Sequence, residues 1–320
     1  MTIGKWYPKS SLLKRIQIYL KYRFGKYSRQ MSLDCYLYYG FDHISKQQIS
    51  EILFDDEVEY YEKLFNDDEY RHIFNSKKEF YRRFARYIHR DIFDPAKSSY
   101  EEYLEFIDKH PRIAVKADKL YGGMGFFVID YGKNNENTNP RRDYEGLKNG
   151  DVIAEEYVYN AQSYKKIYDK SLNTVRITTL IDINGKPQVI AAVNQFGSHG
   201  SITDNDEYDG IWAGCDTITG EIYCAEKNDV TAIYYDVHPD TGEKIIGFAN
   251  SQWESIITLA KNAAKEVPEC RLIGWDIAVL EDNTIELIEG NVTPELGIWQ
   301  AMTHSGLRTL FTNQARDMIK

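Results

Sequence analysis

The sequence predicts an α+β fold in which helices come first and antiparallel strands follow. Three observations point to it. Apolar residues recur at helical spacing through the first hundred positions, the texture beyond Pro111 turns to short β-rich runs, and those runs are joined by hairpin turns.

Leu12, Leu13, Ile16, Leu20 and Phe24 return every few residues between basic side chains, the spacing of an amphipathic helix. Ile52, Val58, Tyr61 and Phe65 repeat the pattern in an acidic setting. Residues 51–69 hold nine carboxylates and one lysine, Lys63, which reads as a solvated helix face. A third helix is expected over residues 77–89, and a fourth near Ser99, where Ser99 and Glu102 have capping-box spacing ahead of Leu104 and Ile107. Residues 112–116 and 125–130 flank a glycine-containing turn, and residues 151–158 form another short apolar run. Residues 174–183 and 186–194 meet at Asn184-Gly185, a dipeptide suited to a type I′ turn because both residues tolerate positive φ. Residues 272–280 and 284–289 form a second hairpin around Asp282-Asn283. Helices are expected over residues 251–266 and 295–319, and the polar stretch 134–139 reads as a loop. The organisation inferred is a helical region over 1–75, a smaller unit over 76–157 and a larger one over 158–320.

At 320 residues with 42% apolar and 28% charged side chains, the chain has globular proportions and enough length for a sizeable core. Its net charge of −10 argues against nucleic acid as a partner. Residues 1–30 nevertheless carry eight basic residues and no acidic one, leaving 31 basic against 49 acidic, a balance of −18, for the other 290. Cys35, Cys215, Cys224 and Cys270 form no C-x-x-C pair and no zinc-like spacing with histidine. With neither a leader pattern nor a stretch of about 20 apolar residues, a cytoplasmic location is expected.

The sharpest chemical constellation is Asp276, Glu289 and Asn291. Paired about Asp282-Asn283, the two strands bring Asp276 across from the end that carries Glu289 and Asn291, which are two apart and share a face. Three oxygen donors at the edge of an apolar sheet make a hard-cation site suited to Mg²⁺. Upstream, Lys116 ends a strand ahead of Gly122, Gly123 and Gly125. Such a turn lets backbone N–H groups approach phosphate oxygens. Neither a P-loop nor a G-x-G-x-x-G motif is present. Thr174 and Arg176 share a strand face, and the arginine suits bidentate capture of phosphate or carboxylate.

In this order, the groups resemble the ATP-grasp superfamily, and within it the sugar-transfer-associated ATP-grasp proteins, over residues 70–305. That likeness implies two α+β subdomains clamping ATP, with Asp276, Glu289 and Asn291 as Mg²⁺ ligands. Lys116 then contacts the phosphates, and Lys77, with Lys78 as a near-equal candidate, is the earlier nucleotide lysine. Gly122, Gly123 and Gly125 become the phosphate-covering loop. In the segment 152–158, which includes Glu155 and Glu156, the Glu155 carbonyl and Val158 N–H would meet the adenine edge. Gln162 falls where relatives place a ribose-binding glutamate. The Ser171-x-Asn173-Thr174-x-Arg176 segment and residues 200–205 look like marks of the sugar-associated branch, and Asn173 and Arg176 are assigned to the nucleotide. Gly274 stands where many relatives carry an arginine, so the resemblance implies that Arg176 is its substitute in stabilising the transferring phosphoryl group, with Lys116 and Arg176 as the catalytic pair. His199, Asp204, Asn205 and Asp209, in a polar loop, are the acceptor-site candidates.

The resemblance implies an ADP-forming ligase that joins a sugar or glycan carboxylate to an amine such as an amino acid. A sugar phosphotransferase and a non-catalytic nucleotide-binding subunit of a polysaccharide assembly complex are the alternatives. The +8 segment carries Trp6, Tyr7, Tyr19 and Tyr22 among its aliphatics. Two expectations stand level for it: peripheral contact with anionic lipid, or docking on the acidic stretch 51–69.

Overall fold

The structure, a computed structural model, describes residues 3–120, 123–132, 138–204, 210–227 and 233–319. Serine caps organise its helical start. After α1 (Ile3–Trp6), Ser11, Ser32 and Ser45 each accept from the N–H three residues on, opening α2 (Leu12–Phe24), α3 (Leu33–Tyr38) and α4 (Lys46–Glu51). In α5 (Asp55–Phe65) three carboxylates occupy the first turn, where the helix dipole favours them.

Residues 3–27 join the body through apolar contacts, with Ile3, Ile18, Tyr22 and Tyr27 packed against Tyr36, Leu37, Phe41 and Ile52. Residues 3–27 thus rest on Ile52 and Phe54 at the start of the acidic stretch, but its carboxylates are not what holds them. Glu57 pairs with Arg308, Glu59 with Lys63, and Glu51 accepts from Thr309. That stretch is also not solvated throughout: Glu62 is buried, and burial raises its carboxyl to about 7.

After α6 (His72–Asn75), α7 (Lys77–Arg83) stops short of the expected residue 89. Phe84 leaves helical backbone to bury its ring, 4.5 Å from Phe80 and 5.4 Å from Trp275. Next, α8 (Tyr100–Lys109) opens at Ser99 with the full capping box. A four-stranded antiparallel sheet follows, β1 (Ile92–Phe93), β2 (Arg112–Ala117), β3 (Phe127–Asp130) and β4 (Val152–Glu156), in the order β1-β4-β2-β3. Its core of Tyr103, Phe106, Ile113, Val115, Tyr144 and Leu147 is shared with α8 and α9 (Pro140–Lys148). Sequence periodicity did not reveal α9, although Asn139-Pro140 is a start signal: Asn139 caps the Arg142 N–H and proline takes the first turn.

The larger sheet comprises β5 (Thr174–Ile181), β6 (Pro187–Phe196), β7 (Ile211–Cys215), β8 (Ile222–Lys227), β9 (Leu272–Val279) and β10 (Ile285–Asn291). All its pairings are antiparallel, in the order β10-β9-β5-β6-β7-β8. One face packs on α7, α10 (Gln162–Ile167) and α11 (Trp253–Ala264), and the other on α5, α12 (Leu296–Thr303) and α13 (Arg308–Ile319). Coverage on both faces explains why every residue of β5 and β9 is buried.

Two local expectations are corrected. Between β5 and β6 only Gly185 has positive φ, 77°, and the Asp182 carboxylate accepts from the N–H groups of Asn184 and Lys186, both at 2.9 Å. The loop is therefore a side-chain-capped turn closed by a left-handed glycine, not type I′. The C-terminal helix is two helices, because His304 turns left-handed at φ 50° and Gly306 lies so close to Glu51 that a Cβ would come within 2.1 Å of its backbone. No helix among the described residues is long and apolar enough to cross a membrane.

The sheets are tied together by Arg90. Its side chain is 1% exposed; Nε donates to Glu155 of β4 at 2.8 Å, and Nη1 to Glu286 and to the Leu287 carbonyl of β10. Arg90→Ala removes the cation paired with buried Glu286 and one of the two paired with buried Glu155, and is expected to cost about 3–5 kcal/mol in urea unfolding. Glu62 supplies a pH test. Its folded value of about 7 against 4.5 makes its contribution most favourable below 4.5 and progressively lost as pH rises to 7. Glu62→Gln should therefore gain thermal stability over the parent at pH 8 and show no such gain at pH 4.

Candidate active site

The acidic end of the site depends on a register slip. In the β9–β10 ladder Leu287 faces Ile277, but Glu289 faces Asp276, so Ile288 is the extra residue of a bulge. Unslipped pairing would set Ile288 opposite Asp276. On the other side of β9, Arg176 of β5 is the direct partner of Asp276. Arg176, Asp276 and Glu289 thus stand in one row across three strands.

Within that row Arg176 forks onto both Asp276 oxygens, Nε at 2.8 Å and Nη2 at 2.9 Å, while Nη1 donates to Glu295. Asn291 Nδ2 lies 3.2 Å from Asp276 and 3.3 Å from Glu289. Burial pushes the Asp276 carboxyl up, to about 6, in spite of Arg176. Glu289 is half-buried, and Lys77, Arg176 and Lys116 hold it below the usual carboxylate range. Buried Asp276, half-buried Glu289 and the Asn291 amide, all able to offer oxygen donors, converge beside the guanidinium. That donor set fits Mg²⁺, and Asn291 with its amide reversed would offer Oδ1 to it.

The basic end is positioned by Asp118, just beyond β2. Its carboxylate accepts from Ser76 Oγ and the Lys78 N–H, and its carbonyl accepts from the Lys77 N–H. This clamp sets the first residue of α7 beside Lys116, and both lysines line one cavity with Gly123, Met124, Arg176, Asp276 and Glu289. Burial, and then Lys116, lowers the pKa of Lys77, whose Nζ donates to the Leu120 carbonyl at 2.8 Å. Lys78 points elsewhere, 3.1 Å from Asp151 and 3.7 Å from Asp94.

Next to this cavity, Lys116, Glu155, Tyr157, Val158, Leu172 and Ile202 line a smaller slot. Glu155 is an internal anion: burial opposes its charge, but Arg90, Lys116 (Nζ at 2.9 Å) and Tyr81 bring it to about 2. Among the described residues the Val158 N–H has no partner. Glu156 borders the slot, though its carboxylate accepts from the Asp91 N–H.

Other sequence candidates fall differently. Asp204 lines the cavity, accepts from the Thr174 N–H (2.9 Å) and Oγ1 (2.7 Å), and is raised by burial to about 7. Gly125 has φ 73° and approaches Ala117 so closely that a Cβ would lie 2.9 Å from Ala117 Cβ. Gly122, Asn205 and Asp209 lie outside the described residues. Gln162 is exposed at the start of α10 and borders neither cavity, and His199 is exposed with its ring on Ser198 Oγ. Asn173 does not reach the cavity either. Its amide donates to the Tyr168 carbonyl and accepts from Ser171 Oγ, so it holds the loop before β5. A Cβ at Gly274 would lie 2.9 Å from Pro294 and 3.4 Å from Arg176 Cδ, so Arg176 already occupies the space an arginine there would need. Sequence reasoning missed Glu295, left-handed at φ 57° with its carboxylate on Arg176, and Arg90 behind the slot. Neither has a local signal, since both act through partners distant in sequence.

Two measurements follow from this geometry. Lys77→Ala should weaken nucleotide binding by tenfold or more in calorimetry, the scale of a lost charged hydrogen bond of about 1.5–3 kcal/mol, whereas Lys78→Ala should leave it within about twofold. Glu289→Ala should abolish the Mg²⁺-dependent part of ADP affinity while circular dichroism shows a retained fold.

No curated protein matches the chain. Among solved structures it is similar to the ATP-grasp ligase PsnB complexed with minimal precursor, Mg and ADP, with TM-score 0.46 and 13% identity over 79% of this chain and 62% of that one. It is also similar to the ADP complex of purK, N5-carboxyaminoimidazole ribonucleotide synthetase (0.43, 10%, 71% and 46%). D-alanyl-alanine synthetase A from Vibrio cholerae O1 biovar eltor is a third (0.43, 15%, 77% and 64%). The chain spans less than two thirds of the length of each of these. A family model of sugar-transfer associated ATP-grasp proteins matches residues 60–316, and the chain belongs to that family.

Proposed function

We propose that the protein is an ATP- and Mg²⁺-dependent, ADP-forming ligase that couples a carboxylate of a sugar or polysaccharide precursor to an amine. The observation that carries this reading is the arrangement of opposite charges around one cavity: Lys77 and Lys116 on one side, Asp276 and Glu289 on the other. Lysines there take phosphate oxygens, and the carboxylates with Asn291 hold the metal. Family membership and the unpartnered Val158 N–H beside the slot support placing a nucleotide across both cavities. In this reading, residues 76–157 and 158–320 are the two halves of the clamp.

When bound, Mg²⁺ neutralises phosphate charge during transfer. The rest falls to the chain. Lys116 faces the phosphates while Glu155 fixes its ammonium from behind. Arg176, with three nitrogens on Asp276 and Glu295, is chiefly a positioning residue that sets the metal-ligand carboxylate in place. A phosphoryl group passes in line from ATP to the acceptor carboxylate, ADP leaves, and the acyl phosphate is attacked by an amine that displaces phosphate. No protein nucleophile is needed, and among the described residues no cysteine, serine or histidine lines the cavity. Asp204, with Gln195 and Trp212, borders the part of the cavity around Arg176 and is assigned to the acceptor.

Mass spectrometry of products from purified protein, ATP, Mg²⁺, amino acids and uronic-acid glycans tests the assignment. ADP plus an amide is expected. A stable phosphorylated sugar would make the protein a phosphotransferase, and no product with any donor or acceptor alongside intact ADP binding would make it a nucleotide-binding subunit.

A further inference from the structure

The apolar stripe of α2 faces away from the protein. Leu12, Leu13, Ile16, Tyr19, Leu20 and Phe24 are all exposed, Leu13 at 73% and Phe24 at 82%. On a 3.6-residue pitch these six fall in an arc of about 140°. The opposite side holds the helix down: Ile18 is buried, and Tyr22 packs 5.3 Å from Tyr36 and donates to the Met31 carbonyl. A helix anchored by its back presents its apolar face, and a contiguous face of this kind marks a contact surface.

Surrounding charge decides what covers it. The same pitch places Lys14 and Lys21 along one edge of the stripe, Arg15 along the other and Arg23 within it. Among the described residues, none of the eight basic side chains of residues 1–30 makes an ion pair. Arg15 and Lys21 donate only to uncharged oxygens, those of Tyr7, Pro8 and Ser10 and of the Asp42 backbone. The rest of the chain carries −18, so the excess of basic residues is concentrated in the segment that bears the stripe. A second copy of the chain is a poor occupant, because a two-fold contact would set the same cationic rims against each other.

We propose that α2 docks the protein peripherally on an anionic lipid bilayer. The six apolar side chains enter the boundary between headgroups and acyl chains, and the flanking lysines and arginines meet lipid phosphates. One helix of this length gives reversible attachment, set by anionic lipid content and salt. The inference is independent of the catalytic reading.

The full chain is sedimented with vesicles of pure phosphatidylcholine and with vesicles of phosphatidylcholine and phosphatidylglycerol in equal parts. It should pellet with the anionic vesicles only, and added salt should release it. Lys14→Gln and Arg23→Gln should each weaken partitioning about fivefold, the scale of one basic residue at a charged surface. Leu13→Ser with Phe24→Ser should weaken it more than about tenfold, and nucleotide affinity should be unchanged because both side chains are exposed. Pelleting with neither vesicle, equal pelleting with both, or undiminished pelleting of the serine variant overturns the proposal. So does a concentration-dependent dimer in sedimentation velocity that the serine variant dissolves, which would make a second chain the occupant.

Discussion

A single buried guanidinium holds the site together. Arg90 reaches Glu155 at the end of the small sheet and Glu286 on the edge strand of the large one, and all three are almost wholly removed from water. Ions so buried keep their charge only by remaining in contact, because separation would leave each uncompensated in a poorly polarisable interior. The two sheets therefore meet at one fixed spacing along this line. Glu155 also accepts from Lys116, so the lysine that faces the cavity is aimed by the same contact that joins the sheets.

On the opposite wall the deciding constraint is a bulge. Ladder pairing makes neighbours of Arg176 and Asp276, and the extra residue at Ile288 brings Glu289 level with them. The outcome is a strip in which two carboxylates, Asp276 and Glu289, lie between the Arg176 guanidinium on one side and Lys77 and Lys116 across the cavity. Burial and charge act in opposite directions along it. Asp276 is pushed up by desolvation, while Glu289, closer to the lysines, is kept low.

Much of this was legible in the order of residues. The Ser99–Glu102 cap, the strands flanking Gly123 and Gly125, and the hairpin around Asn283 all form as their local chemistry requires. Asp276, Glu289 and Asn291 could be grouped because a strand has a period of two. What escaped was decided at a distance. Phe84 ends a helix early by reaching Trp275, His304 and Gly306 divide another against Glu51, and Asn173 turns inward to hold its own loop. Between Lys77 and Lys78 the sequence offered no choice, whereas the Asp118 clamp on α7 sends one into the cavity and the other toward Asp151.

The sequence by itself determined the α+β class and the antiparallel hairpins and grouped Asp276, Glu289 and Asn291, since each rests on periodicity, hairpin pairing or capping chemistry within a few residues. It also determined that residues 12–24 form a basic helix with an apolar side. Only the tertiary structure decided which way that helix faces, because an amphipathic pattern states that one side is apolar without stating what meets it. Here Ile18 and Tyr22 provide the anchor, and the broader stripe is left to solvent. The Arg90 junction and the Glu295 contact on Arg176 likewise exist only in three dimensions, where partners up to 196 residues apart along the chain share one buried charge.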